Sequence, residues 1–281
     1  MHFMPSISEL RTVFETLLLC KSVVVLAKSP QSCSECVSLL LDMIRPVPYA
    51  GVVRPYVTMQ SDFTALGLDG GLPHSYIAGV TNPFLLQRLL TAPKNKDRSK
   101  PHVVYLHHQF DNVPPMKSQS LRHQRSHPEF DVPGGLELEA STKKYTKADN
   151  TFHKELNRML RREPSDIDEV DSIIRHHFAE LAAQFVAPIN RYLATSMSSS
   201  VISPGGNLQY GNFNEADFLH SLSKHGTAVN FKGQTPLQKH RARDAMYTDF
   251  CRSSNFYSWL DMKLSLEKES VAGLLISRAP G

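Results

Sequence analysis

The residue types that carry covalent, redox or metal chemistry occur here in spacings that argue against each. Cys33-x-x-Cys36 has the spacing of half a zinc site or of a redox dithiol. A structural zinc needs a second ligand pair at matching spacing, and the other two cysteines, Cys20 and Cys251, do not supply one. The pair also falls on an expected helix, where cysteines three apart read as core or surface filler. The thirteen histidines include His107-His108 and His176-His177. Adjacent helical residues point in different directions, so such a pair does not easily chelate one ion. There is no His-Glu-x-x-His zinc motif and no Gly-x-Ser-x-Gly nucleophile elbow. The expectation is a chain with no catalytic side chains, no metal and no cofactor.

Phosphate chemistry fares no better. Gly67-Leu-Asp-Gly-Gly71 is glycine-rich but lacks the Lys-Ser/Thr of a P-loop and the Gly-x-Gly-x-x-Gly order of a dinucleotide site. It reads as a tight surface turn. Lys239, His240, Arg241 and Arg243 could meet phosphates, but no aromatic residues interleave with them. A solvated helix face is the plainer reading, with no nucleic-acid partner expected. Thr81-Asn82-Pro83-Phe84 is different in kind. A turn at the carboxyl end of a strand in an open α/β sheet lies where ligands and partners dock. Asn and Pro are expected at a helix start in any case, so on local grounds a simple cap is the plainer reading.

The elements that would position these residues divide the chain. Leu10, Val13, Phe14, Leu17 and Leu18 keep helical spacing after a cap at Ser8. Val23 to Ala27 is apolar throughout, which suits a strand covered on both faces. Ser32 and Glu35 form a capping box for a helix through Val37, Leu40, Leu41 and Ile44, stopped by Pro46 and Pro48. Tyr56–Met59, Ser75–Val80 and His102–His107 read as further strands. Thr81-Asn82-Pro83 opens a helix whose buried stripe would be Phe84, Leu85 and Leu89. Asp111 to about Lys147 is proline-rich and polar, and reads as a linker or insertion.

Beyond it the sequence is helical. Ser165 and Asp168 start a segment in which Ile167, Val170, Ile174, Phe178, Leu181, Phe185, Ile189 and Tyr192 recur every three or four residues. Pro188 should kink or break it. After a Ser-rich loop, Met197 to Ser203, Asn214 caps a helix ended by Gly226. Thr235-Pro236 opens another, and Phe256, Trp259, Leu260 and Leu264 lie on the last. The expected architecture is an α/β open sheet flanked by helices over 1–110, a linker or insertion over 111–147, and an all-α part over 148–281.

Bulk properties set the class. The 281 residues are 41% apolar and 21% charged, an ordinary globular balance. No apolar run approaches the ~20 residues that span a bilayer. Met1–Glu15 lacks the pattern of a secretory signal, and no Asn-x-Ser/Thr acceptor occurs, so a cytoplasmic chain with reduced thiols is expected. The net charge of +4 is spread over short clusters at Lys94–Lys100, Lys143–Lys147 and Lys239–Arg243. These leave room for attraction to an acidic membrane surface, at about 1 kcal/mol per well-placed basic residue.

Taken in order, several segments resemble the DENN-domain proteins, and most closely their subfamily six. They are Val23-Val-Val-Leu-Ala-Lys-Ser-Pro30, Arg54-Pro-Tyr-Val-Thr58, Ile77-Ala-Gly-Val-Thr-Asn-Pro-Phe84, Phe178-Ala-Glu-Leu181, Phe185-Val-Ala-Pro-Ile-Asn-Arg-Tyr192, Phe231-Lys-Gly233 and Ser254-Asn-Phe-Tyr-Ser-Trp259. The resemblance implies a central α/β DENN module followed by a helical downstream module. It further implies guanine-nucleotide exchange on a Rab-type small GTPase in endosomal membrane traffic; the position of the Thr81–Phe84 turn makes Thr81, Asn82, Pro83 and Phe84 the expected face toward the GTPase. The family normally begins with a longin-like module, to which nothing here corresponds, and Thr235–Arg243 looks inserted. Two other readings stay open: a non-exchanging Rab-binding scaffold or truncated member, and an α/β enzyme with unrecognised chemistry.

Overall fold

In a computed structural model, residues 7–58, 75–91, 100–106, 144–160, 167–198 and 213–277 are described. The glycine-rich stretch at Gly67–Gly71, the His107-His108 pair, Ser165 and most of 111–147 lie outside them. The described residues build eight helices and one four-stranded sheet: α1 Ile7–Leu18, β1 Val23–Leu26, α2 Pro30–Met43, β2 Val52–Arg54, β3 Tyr76–Val80, α3 Pro83–Thr91, β4 His102–Tyr105, α4 Asn150–Leu160, α5 Ile167–Ser198, α6 Glu215–His225, α7 Pro236–Cys251 and α8 Ser254–Ser277. This is a mixed α/β chain.

All strand pairs are parallel, in the order β2-β3-β1-β4. Val23 to Leu26 are fully buried because helices cover both faces of the sheet. Val23, Val25, Ala27 and Ile77 face α1 and α2, on which α5 packs in turn, whereas Val24, Leu26, Ala78 and Val80 face Leu85, Leu86 and Leu89 of α3. The connection after β1 runs to one side of the sheet and that after β3 to the other. With a common right-handed crossover, opposite directions put the two connecting helices on opposite faces. The switch point therefore falls between β1 and β3, with the Thr81–Phe84 turn at its carboxyl edge.

Three local expectations are corrected. The cap of α2 is Ser29, not Ser32: the Ser29 hydroxyl accepts the Ser32 N–H at 3.1 Å, and Pro30 takes the first helical position, where no N–H is needed. The second strand is Val52–Arg54 rather than Tyr56–Met59. Pro55 has no N–H to continue the ladder, although the Val57 N–H still reaches the Gly79 carbonyl at 2.8 Å. Helix α5 is not broken at Pro188, which is buried within its 32 residues. The adjoining turn is held from α7, where the Tyr247 hydroxyl donates to the Phe185 carbonyl at 2.9 Å and the two rings stack with centroids 4.3 Å apart.

One hydrophobic cluster joins α1, α2 and the sheet to α4–α8, through Phe14, Phe178, Phe185, Phe250 and Trp259. Arg175 of α5 pairs with Asp42 of α2 across this junction. Two polar groups pin it. Buried Asn255 donates to the carbonyls of Leu17 and Leu18 at 2.8 and 3.2 Å and accepts the Ala50 N–H at 2.8 Å. It thereby satisfies the Leu18 carbonyl at the end of α1 and gives the Leu17 carbonyl a second donor beside the Cys20 N–H at 2.9 Å. Buried Glu15 of α1 accepts the N–H groups of Tyr145 and Thr146 at 2.9 and 2.8 Å and also the Thr146 hydroxyl. Thr146 in turn bridges to Phe231, and the Tyr145 hydroxyl donates to Asp249 at 2.5 Å.

Candidate docking site

The carboxyl edge of the sheet is assembled from loops that backbone pairing places side by side. The β1–β3 register sets Leu26 opposite Val80, so Ala27 and Lys28 leave the sheet next to Thr81 and Asn82. The β2–β3 register sets Arg54 opposite Ala78, so Pro55 and Tyr56 pass beside Gly79 and Val80. That passage is close. A β-carbon on Gly79 would sit 2.1 Å from the Pro55 carbonyl oxygen and 2.6 Å from Cys33 Cβ. Only a residue without a side chain lets the strand and the 55–57 loop approach this way.

The turn itself is held in place before any partner arrives. Asn82 Oδ1 accepts the Phe84 N–H at 2.9 Å, and the Asn82 carbonyl accepts the Leu86 N–H at 3.2 Å, closing the first turn of α3. Thr81 Oγ1 shares a hydrogen with the Tyr56 hydroxyl at 3.3 Å. Beneath the turn, Cys33 Sγ approaches the Val80 carbonyl at 3.5 Å.

Phe84 is not part of the buried stripe of α3. It is 69% exposed, while Leu85, Leu86 and Leu89 are buried. With about 100° between successive helical residues, the centre of the Leu85–Leu86–Leu89 face lies roughly opposite Phe84. A large aromatic side chain is thus left in solvent at the switch point. Around it, Lys28, Pro30, Pro55 and Thr58 are exposed and Thr81, Asn82 and Pro83 half-buried. Tyr56 and Thr58 belong to this edge together with Pro55, rather than to the strand expected over Tyr56–Met59; the proline is the signal that the strand has already ended.

The chemistry-bearing residues lie elsewhere or are inert. All four cysteines are free and buried. Burial pushes the Cys33 thiol up to about 11 and the Cys36 thiol upward as well, so neither offers a thiolate near neutral pH. His176 is exposed whereas His177 stacks on Phe152 with centroids 3.7 Å apart, so the neighbours do diverge. Among the described residues no group of three His, Cys, Asp or Glu could hold a metal ion, and no helix is long and apolar enough to cross a membrane. What the edge offers is surface: a rigid backbone turn with an apolar ring and flanking polar groups.

A parallel-sheet α/β layer with a pre-capped, aromatic-bearing turn at its switch point, backed by a helical layer, is the class of protein in hand. No protein-family model matches the chain. It is 29% identical over 266 residues to the protein DENND6A of Gallus gallus, covering 92% of this chain and 42% of that protein. It is 27% identical over 282 residues to DENND6B of Homo sapiens, covering 94% and 44%. The DENND6 homolog of Dictyostelium discoideum is 26% identical over 220 residues, covering 66% and 29%. The chain therefore spans less than half the length of these relatives. Over more than nine-tenths of its length it is similar to DENN-domain proteins of subfamily six.

Proposed function

We propose that the chain acts on a Rab-type small GTPase as a guanine-nucleotide exchange factor, docking it at the carboxyl edge of the sheet through Thr81, Asn82, Pro83 and Phe84. The observation that carries this reading is the exposure of Phe84 on a rigid turn, within the Gly79–Phe84 string that marks the family likeness. In this reading residues 1–110 are the central DENN module and 148–281 the downstream one, and the work is done in the cytoplasm at endosomal membranes.

Exchange asks for no nucleophile. A nucleotide held at picomolar affinity is bound by about 16 kcal/mol, and its release 10⁴-fold faster needs a barrier lowered by about 5.5 kcal/mol. A partner that prefers the empty GTPase weakens nucleotide binding by the same factor, by linkage. Contact energy spread over a fixed surface can supply this. A rigid turn suits the task because little ordering entropy is lost when it binds. The family's role as GTPase regulators agrees with a site made of surface rather than of reactive groups.

The test is release of labelled GDP from a panel of Rab proteins, with the chain beside its Asn82→Ala/Pro83→Ala variant. The expected result is acceleration for one Rab or a few, lost in the variant while thermal unfolding is unchanged. Undiminished release in the variant removes the turn from the site. Capture of a Rab without faster release would select a binding scaffold instead.

A further inference from the structure

We infer that the tip of α7 is a second working surface, one that docks on an anionic lipid bilayer. It deepens the peripheral-membrane part of the reading above and stands independently of GTPase docking. Pro236, Leu237, Gln238, Lys239, His240 and Arg241 are all exposed, so the helix starts as a projection from the body rather than along it. Leu237 is 60% exposed, with Lys239, His240 and Arg241 around it. Between Phe218 and Arg243 the chain contains no Asp or Glu. Among the described residues neither Lys232, Lys239 nor Arg241 has a carboxylate partner. By contrast, Arg243, one turn further in, is buried and held by Asp244 at 2.8 Å.

The projection is stiff. Thr235 Oγ1 accepts the Gln238 N–H at 3.3 Å while Gln238 Oε1 accepts the N–H groups of Gln234 and Thr235 at 2.8 and 3.3 Å. Gly233 packs against the first turn so tightly that a β-carbon there would meet the Lys239 nitrogen at 2.7 Å, which brings Lys232 to the same tip. The result is a preformed point carrying cations and one bare aliphatic side chain.

That pairing selects the partner. Lysine and arginine at the headgroup level attract acidic lipids, and a leucine among them can enter the acyl boundary. Surfaces for single-stranded nucleic acid instead interleave cations with aromatic rings on which bases stack, and the tip has none; a duplex is met by cations on its phosphates and gives no use to the bare Leu237.

The experiment is co-sedimentation of the full chain, with no GTPase present, with vesicles of phosphatidylcholine alone or of phosphatidylcholine and phosphatidylserine in a four-to-one ratio. Binding is expected to the mixed vesicles alone and to fall as salt rises. Lys239→Glu/Arg241→Glu should weaken it by about 25-fold or more, at roughly fivefold per basic residue removed. Leu237→Ala should weaken it by at least about threefold, from the apolar groups withdrawn from the interface. Should the charge-reversed pair fail to fold, Lys239→Gln/Arg241→Gln makes the same comparison. No binding to acidic vesicles, binding unaltered in the variants, or capture by a duplex oligonucleotide with vesicles ignored would each overturn the inference. Release of nucleotide from a Rab, stimulated in solution, should be the same for chain and variants, so failure here and failure of the exchange reading are separate results.

Discussion

Gly79 of β3 and Pro55 of the loop after β2 are packed so closely that a β-carbon on the glycine would lie 2.1 Å from the proline carbonyl oxygen. The Val57 N–H donates to the Gly79 carbonyl at 2.8 Å from the same loop. The glycine thus joins the sheet to the loop that flanks the Thr81–Phe84 turn, and Cys33 of α2 closes the other side. Gly79→Ala should cost about 3 kcal/mol, at the upper end for an overpacked core, because two of the clashing groups are backbone or core rather than flexible side chains. Urea unfolding of the variant beside the parent measures this; a cost under ~0.5 kcal/mol would mean the loop can lift away freely.

Phe84 should separate stability from function. Being 69% exposed, its replacement by Ser should move the unfolding free energy by no more than about 0.5 kcal/mol. If the ring is an anchor in the GTPase contact, the same change should lower stimulated nucleotide release by about tenfold or more, as a central aromatic contact does. A large loss of stability would return the ring to the core.

Glu15 holds Tyr145 and Thr146 through one buried carboxylate. Glu15→Ala leaves two backbone N–H groups and the Thr146 hydroxyl without their acceptor, at about 1–3 kcal/mol for each group that stays buried. Segment 144–149 should then detach before the body unfolds. Hydrogen exchange at Tyr145 and Thr146, whose amides should lose protection in the variant, reads this directly, and limited proteolysis provides a second measure.

His102 at the start of β4 is 7% exposed, and neither ring nitrogen has a hydrogen-bond partner among the described residues. Burial, with Lys144 nearby, holds its imidazole down at about 4, against an ordinary value near 6.5. The folded chain resists the proton that the unfolded chain takes up below pH ~6.5. Stability should therefore fall as the pH is lowered from ~6.5 to ~4, by up to about 1.4 kcal/mol per pH unit, and this contribution should level off below. His102→Leu should remove that part of the slope at little cost near neutral pH, since no hydrogen bond is lost. Chemical denaturation across pH 4–8 compares the two slopes.

Much of this was readable in the sequence wherever the deciding interaction is local. The Asn82–Pro83 helix start, the Asn214 and Thr235 caps and the stripe from Val170 to Ile189 all rest on partners within a few residues. Ser29 and Ser32 both offer a cap hydroxyl, and Pro30 decides between them by fixing the first helical position. Phe84 fits an apolar stripe by spacing, which does not distinguish the edge of a stripe from its far side. The carboxyl edge of the sheet is legible as one turn, but its other members reach it through strand register. Asn255 and Glu15 were not legible, since their partners lie 238 and 131 residues away. No periodicity reports a contact across that distance.

The hold of Asn255 on Leu17 and Leu18 has a consequence for how the chain is made. The amide that completes the carboxyl end of α1 lies 238 residues further along the chain, and it and the α5 side chains that cover the helix's inner face are translated well after it. At about 5–20 residues per second, a nascent chain waits on the order of ten seconds or more between the two. During that wait Phe14, Leu17 and Leu18 stay bare, so newly made chains should depend on chaperones until residue 255 has cleared the ribosome.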